Sequence, residues 1–257
     1  MDNRPIGMFD SGCGGLTVLK QYIKYMPNED FIYYGDTAHL PYGDKSPQKI
    51  IEYSEKIVKF LIDKNVKLIV IACGTASANA FNYLKEKYDI DIRNIIEPTS
   101  SSITTNNIGV IATKSTIKSK AWENSILKYN NSANIISMAC PLLVPLIEEG
   151  FINTPATNYV INEYLKNFID SNGKPLISSL ILGCTHYPLL KENFSKILGE
   201  DVDIIDVGTY SAKDTLNFLD TNNMKNSIEH TGNLSFFSSD DFGTFKENAK
   251  LLDFIIN

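Results

Sequence analysis

The sequence predicts an α/β protein of two pseudo-symmetric lobes, each a mostly parallel sheet covered by helices, with the active site in the inter-lobe cleft. Three observations lead there. Short apolar runs alternate with longer amphipathic stretches; the two halves of the chain repeat one pattern; and the composition is that of an ordinary globular protein. With 257 residues, 43% hydrophobic and 21% charged, there is material for roughly two domains, and long disorder or a coiled coil is disfavoured. Twenty-four Lys and Arg against 30 Asp and Glu leave a net charge of −6, which argues against a nucleic-acid or anionic-membrane partner.

Apolar runs without alternation mark strands buried on both faces. They fall at Ile6 to Phe9, Phe31 to Gly35, Val66 to Ala72, Ile108 to Ala112, Ile177 to Leu182 and Val202 to Asp206. Helical spacing of apolar residues covers Ser46 to Asp63, Lys118 to Tyr129, Ala156 to Ile169 and Tyr187 to Leu198, with a closing helix at Asp241 to Ile256. Asn130 to Asn134 and Asp220 to Ser227 read as loops.

The halves open alike, IGMFDSGCGG and IGVIATKSTI, and each then reaches an apolar run ending in a cysteine, KLIVIACGTASA at Cys73 and SSLILGCTHYP at Cys184. The pattern breaks at EPTSSSITTNN, which divides the chain into residues 1–97 plus 207–257 as one lobe and 98–206 as the other.

The four cysteines are too scattered for a CxxC or zinc-ribbon spacing, and three dispersed histidines compose no metal site. Reduced thiols, an acidic N-terminus and the lack of any apolar run near ~18 residues point to a soluble, cytoplasmic protein.

A cysteine at the end of a buried strand, before a helix, stands where open α/β sheets bind ligands. Cys73 and Cys184 both do, whereas Cys13 and Cys140 read as structural. Any one buried cysteine is more often a small core residue, but two at equivalent places in facing lobes reach a ligand from opposite sides. Removing a proton from one face of a carbon acid and returning one to the other, as in racemisation, needs that arrangement.

Candidate helpers are Asp10 and Ser11 at the end of the first strand, His186 two residues past Cys184, Glu149 before Gly150, the Tyr42-Gly43 turn, and Thr116. Each has a plainer reading: Asp10 or Thr116 as a helix cap, Glu149 as a solvated carboxylate, Tyr42-Gly43 as an ordinary turn. His39 and His230 read as solvated.

Five segments in order, FDSGCGGLTVL, YYGDTAHLPYGDKS, IACGTASANA, CPLLVPLIEEG and LILGCTHYPLL, make the chain resemble the glutamate racemases of the aspartate/glutamate racemase superfamily over nearly its whole length. The resemblance implies interconversion of L- and D-glutamate without a cofactor, for peptidoglycan synthesis, with Cys73 and Cys184 as the two acid/bases. It implies that Asp10 and Glu149 or His186 assist the thiols, and that Asp10, Ser11, Tyr42, Gly43, Gly74, Thr75, Thr116, Thr185 and His186 line the substrate site. Dimers are common in that family, while no residue pattern here selects one.

The main departure is Cys-Gly-Thr at residues 73–75 where the family usually reads Cys-Asn-Thr. Losing a hydrogen bond to a charged group costs about 1.5 to 3 kcal/mol, with a water expected to fill part of the gap. Two rivals follow: a racemase of aspartate or another amino acid, and a catalytically weak homologue that binds an amino acid or a protein partner.

Overall fold

The structure, a computed structural model, describes residues 1–251 and 254. Its strands are β1 (Ile6–Asp10), β2 (Phe31–Gly35), β3 (Leu68–Ile71), β4 (Ile92–Asn94), β5 (Asn107–Ala112), β6 (Asn134–Ala139), β7 (Ser179–Leu182), β8 (Asp203–Ile205) and β9 (Leu234–Ser238). They form two sheets, ordered β4-β3-β1-β2-β9 and β6-β5-β7-β8, with every pairing parallel.

Read from the β4 and β8 edges, the orders are β4-β3-β1-β2 and β8-β7-β5-β6, so the second lobe repeats the first and β9 is an addition. Cys73 follows β3 and Cys184 follows β7, the equivalent strand. The sequence repeat thus reflects a repeated topology. β1, β3 and β7 are buried at every residue, which is why they carry no polar alternation.

Helix 47–63 illustrates how the covering layer is specified. Ser46 caps it, its hydroxyl accepting from the Lys49 N–H at 3.4 Å, and Pro47 occupies the first turn. Ile50, Ser54, Ile57, Val58 and Leu61 form its buried stripe.

Several boundaries differ from those predicted. β4, β6 and β9 went unread because they are short or only half-buried, and Asn134, placed in a loop, opens β6. Within the supposed break, Ile96–Ser102 is helical, because the Asn94 side chain accepts the N–H groups of Ile96 and Glu97 at 2.7 and 2.9 Å. The helix predicted over Lys118 to Tyr129 is two, Lys114–Ser119 and Ala121–Tyr129, divided at Lys120 with φ 56°. Similarly, single turns of 3-10 helix stand at Lys166–Phe168 and Tyr187–Leu190, where continuous α-helix was expected.

After β8, the helix Val207–Thr221 packs on Leu16–Tyr25, the Tyr22 hydroxyl lying 2.7 Å from that of Ser211 and 2.8 Å from that of Thr215. β9 then pairs with β2. The closing helix spans Phe242–Leu251, and its predicted end at Ile256 lies outside the described residues. Among the described residues no helix is long and apolar enough to cross a membrane.

Candidate active site

The ends of β1, β3, β5 and β7 converge on one cavity of about 260 Å³ between the lobes. Of the predicted residues, Ser11, Tyr42, Gly43, Cys73, Gly74 and Thr75 line it from the first lobe, and Cys184, Thr185 and His186 from the second. Asp10 and Thr116 stand behind the wall, both fully buried.

Cys73 caps the short helix Gly74–Asn79, its sulfur accepting from the Ala76 N–H at 3.5 Å while the thiol donates to the Ser11 hydroxyl at 3.6 Å. Behind it, Asp10 accepts from the Gly12 N–H at 2.9 Å and from the Thr185 hydroxyl at 3.3 Å. Burial raises the Asp10 carboxyl above the ordinary range, against the pull of His186 and these donors. For Cys73, burial first and the Asp10 charge second push the thiol up to about 12. Cys73 is thereby held protonated.

Cys184 has a different neighbour. Its sulfur lies 3.9 Å from Nδ1 of His186, whose Nε2 lies 3.1 Å from the Glu148 carboxylate. Burial alone would lower the His186 imidazolium, but bonding and attraction to Cys184 and Glu148 outweigh it and raise the group to about 10. The imidazole thus stands between the Cys184 sulfur and the Glu148 carboxylate.

Glu149, the predicted helper, is corrected to Glu148. Val144 and Glu148, four residues apart, share the cavity side of helix Leu143–Glu148, whereas Glu149 lies past its last turn and does not line the cavity. The i, i+4 spacing from Val144 is the signal that could have found it.

Three hydroxyls bridge the lobes: Thr75 lies 2.9 Å from Thr113, which lies 2.9 Å from Thr116. Thr113, which the sequence reading missed, caps helix Lys114–Ser119 and lines the cavity, with Thr116 buried behind it. A threonine between a strand and a helix was the legible cue. Cys140, read as structural, also forms part of the cavity wall, its carbonyl accepting from the Tyr187 hydroxyl at 2.9 Å.

The Tyr42-Gly43 turn is fixed from behind, the Tyr42 hydroxyl donating to Asp36 at 2.5 Å. Burial and the Asp36 charge push the Tyr42 phenol far above its usual value. His39, expected in solvent, instead lies 2.8 Å from Asp36 and stacks on Tyr53, and His230 lies 2.8 Å from Asp30. Among the described residues, no group of three His, Cys, Asp or Glu is placed to hold a metal ion.

What this arrangement can do is approach one small polar molecule from two sides with two sulfurs, one kept as a thiol and the other beside an imidazolium.

The sequence profile of the family described as Asp/Glu/Hydantoin racemase matches residues 12–215. A glutamate racemase of Clostridium perfringens is 40% identical over 256 residues, 98% of this chain and 97% of the relative. One of Geobacter metallireducens is 39% identical over 241 residues, 92% of this chain and 88% of the relative. Among solved structures, glutamate racemase from Francisella tularensis in complex with D-glutamate superposes with a TM-score of 0.92 at 40% identity, covering 100% of this chain and 96% of that one. With its repeated parallel sheets and paired cysteines at equivalent strand ends, the chain belongs to the Asp/Glu/hydantoin racemase family and, within it, to the glutamate racemases, which are amino-acid isomerases.

Proposed function

We propose that the protein interconverts L- and D-glutamate by two-base proton transfer between Cys73 and Cys184, without a cofactor, and so supplies D-glutamate for peptidoglycan. The observation that carries this reading is the pair of sulfurs at equivalent strand ends on one inter-lobe cavity. The relatives' names and the D-glutamate in the Francisella tularensis structure support the choice of substrate.

In one direction the Cys184 sulfur, as thiolate, takes the α-proton from one face while the Cys73 thiol gives its proton to the opposite face. The products are the other enantiomer, a Cys184 thiol and a Cys73 thiolate, and the reverse direction exchanges the roles. His186 and Glu148 steady the charge at Cys184. At Cys73 the Ser11 hydroxyl and the Ala76 N–H serve the transient thiolate. The α-hydrogen of an amino acid is a far weaker acid than a thiol, so the carbanion needs stabilisation in a water-poor cleft. The hydroxyls of Ser11, Thr75, Thr113 and Thr185, with the Tyr42-Gly43 turn, line the cavity and in this reading bind the carboxylates and ammonium.

The test is purified protein, without added pyridoxal phosphate, given L- or D-glutamate in D2O, with aspartate in parallel. Optical rotation decaying to zero from both sides, with α-deuterium in the product, is expected. Activity on aspartate alone, or none, would overturn the assignment. Rescue of a D-glutamate auxotroph checks the cellular role.

A further inference from the structure

Three first-lobe glycines sit against the second lobe around the cavity, and a Cβ added to each measures how closely. At Gly14 it would fall 2.5 Å from both the His186 ring and the Thr185 hydroxyl, and at Gly43 2.9 Å from Thr113 Cβ. Those neighbours are side chains. At Gly74 it would fall 2.2 Å from the carbonyl oxygen of Gly183, which is backbone.

The far side of this contact is itself confined. The Gly183 N–H donates to the Ile111 carbonyl at 2.8 Å, and a Cβ on Gly183 would fall 2.8 Å from Nε1 of the fully buried Trp122. The near side is tied down too, the Ala72 N–H donating to Phe9 and the Ser77 N–H to Cys73, at 2.9 and 2.8 Å. Neither backbone has slack to yield. The space left by the missing side chain at residue 74, where a water was expected, is therefore filled by the Gly183 carbonyl.

Gly74 adjoins Cys73, and Gly183 adjoins Cys184. The geometry points to Gly74 as a positioning residue: its bare backbone is the seat on which Gly183 rests, and this contact fixes the spacing of the two sulfurs. Position 74 then admits no side chain, not even a methyl group, without holding the lobes apart. An asparagine at this position would in this chain be a wedge and not a gain. The link from spacing to rate rests on the two-thiol reading above; the contact itself does not.

The experiment compares the full-length protein with Gly74→Ala and Gly74→Asn. Iodoacetamide labelling of each cysteine is followed by peptide mass spectrometry, and kcat and KM are measured for both enantiomers of glutamate. Cys13, held by its bond to the Phe245 carbonyl at 3.5 Å, reports folding. Both variants are expected to label several-fold faster at Cys73 and Cys184 with Cys13 still protected. Their kcat falls by about 10²-fold, the cost of roughly 1 Å of misplacement, while KM changes less. Parental labelling and parental kcat in Gly74→Asn would overturn the proposal. So would labelling of Cys13 along with the others, because a seat that only spaces the lobes leaves each lobe folded. If the parent turns over no glutamate, the functional reading fails, and the labelling still decides the seat.

Discussion

Cys73 and Cys184 end equivalent strands of equivalent sheets, yet one sulfur bonds to the Ser11 hydroxyl within the field of the buried Asp10 carboxyl and the other faces an imidazole backed by a glutamate. Topology copied the position of the thiol but not its electrostatics. Burial and the neighbouring Asp10 carboxyl keep Cys73 a thiol, while His186 is the group set beside Cys184, an asymmetry that fits the proposed acid and base roles. A symmetric site would begin with two thiols or two thiolates, and neither moves a proton across.

Removing either sulfur breaks this comparison most severely. Cys73→Ser and Cys184→Ser should each lower turnover in both directions by about 10²- to 10⁴-fold. With α-deuterated L- and D-glutamate, the larger kinetic isotope effect should appear with opposite enantiomers in the two variants. The same enantiomer in both would mean that the thiols do not serve opposite faces.

Next in size is the support of Cys184. Glu148→Gln removes the anion that helps hold the His186 proton, so the histidine's NMR titration midpoint should fall from near 10, and kcat by about tenfold. Glu149→Gln should have the smaller effect of the two; a larger one would restore the reading from sequence. The sign for stability follows. Because the folded value of His186 is raised above 6.5, its contribution is complete below pH 6.5 and lost as pH rises through about 10. A urea series in which this loss is smaller and begins at lower pH in Glu148→Gln than in the parent would check it, since Cys184 remains.

Asp10→Asn sharpens the other side. Without the Asp10 charge the Cys73 thiol should titrate below about 12 but still above 9, since burial is the larger cause and remains. Thiolate absorbance against pH, with Cys73→Ser as the blank, measures it; no downward shift would contradict the electrostatic account. The smallest effect belongs to Lys114 and Asp44, which face each other across the mouth at 3.8 Å with side chains about 60% exposed. Lys114→Ala should change KM by no more than a few-fold, as expected of a solvated pair.

The paired sheets were legible because strands buried on both faces leave continuous apolar runs, and the site because a cysteine closes one such run in each half. What escaped depended on contacts between elements. β9 carries no such run, since it is a half-exposed edge. Helix Ile96–Ser102 was hidden because its cap comes from Asn94, before the Ser/Thr stretch that looked like a break. Thr113 and Glu148 were readable in principle, as a cap and as one helix face. The close contact of Gly74 with Gly183 was not, because residues 109 positions apart show no pattern in one chain.

The most direct test of two thiols acting on opposite faces is a single-turnover reaction in D2O with the protein in excess over L-glutamate, and again over D-glutamate. The prediction is deuterium at the α-carbon of the product enantiomer and none in the recovered substrate, from either starting side. Deuterium entering recovered substrate as fast as product would mean that one base serves both faces, and would contradict the account.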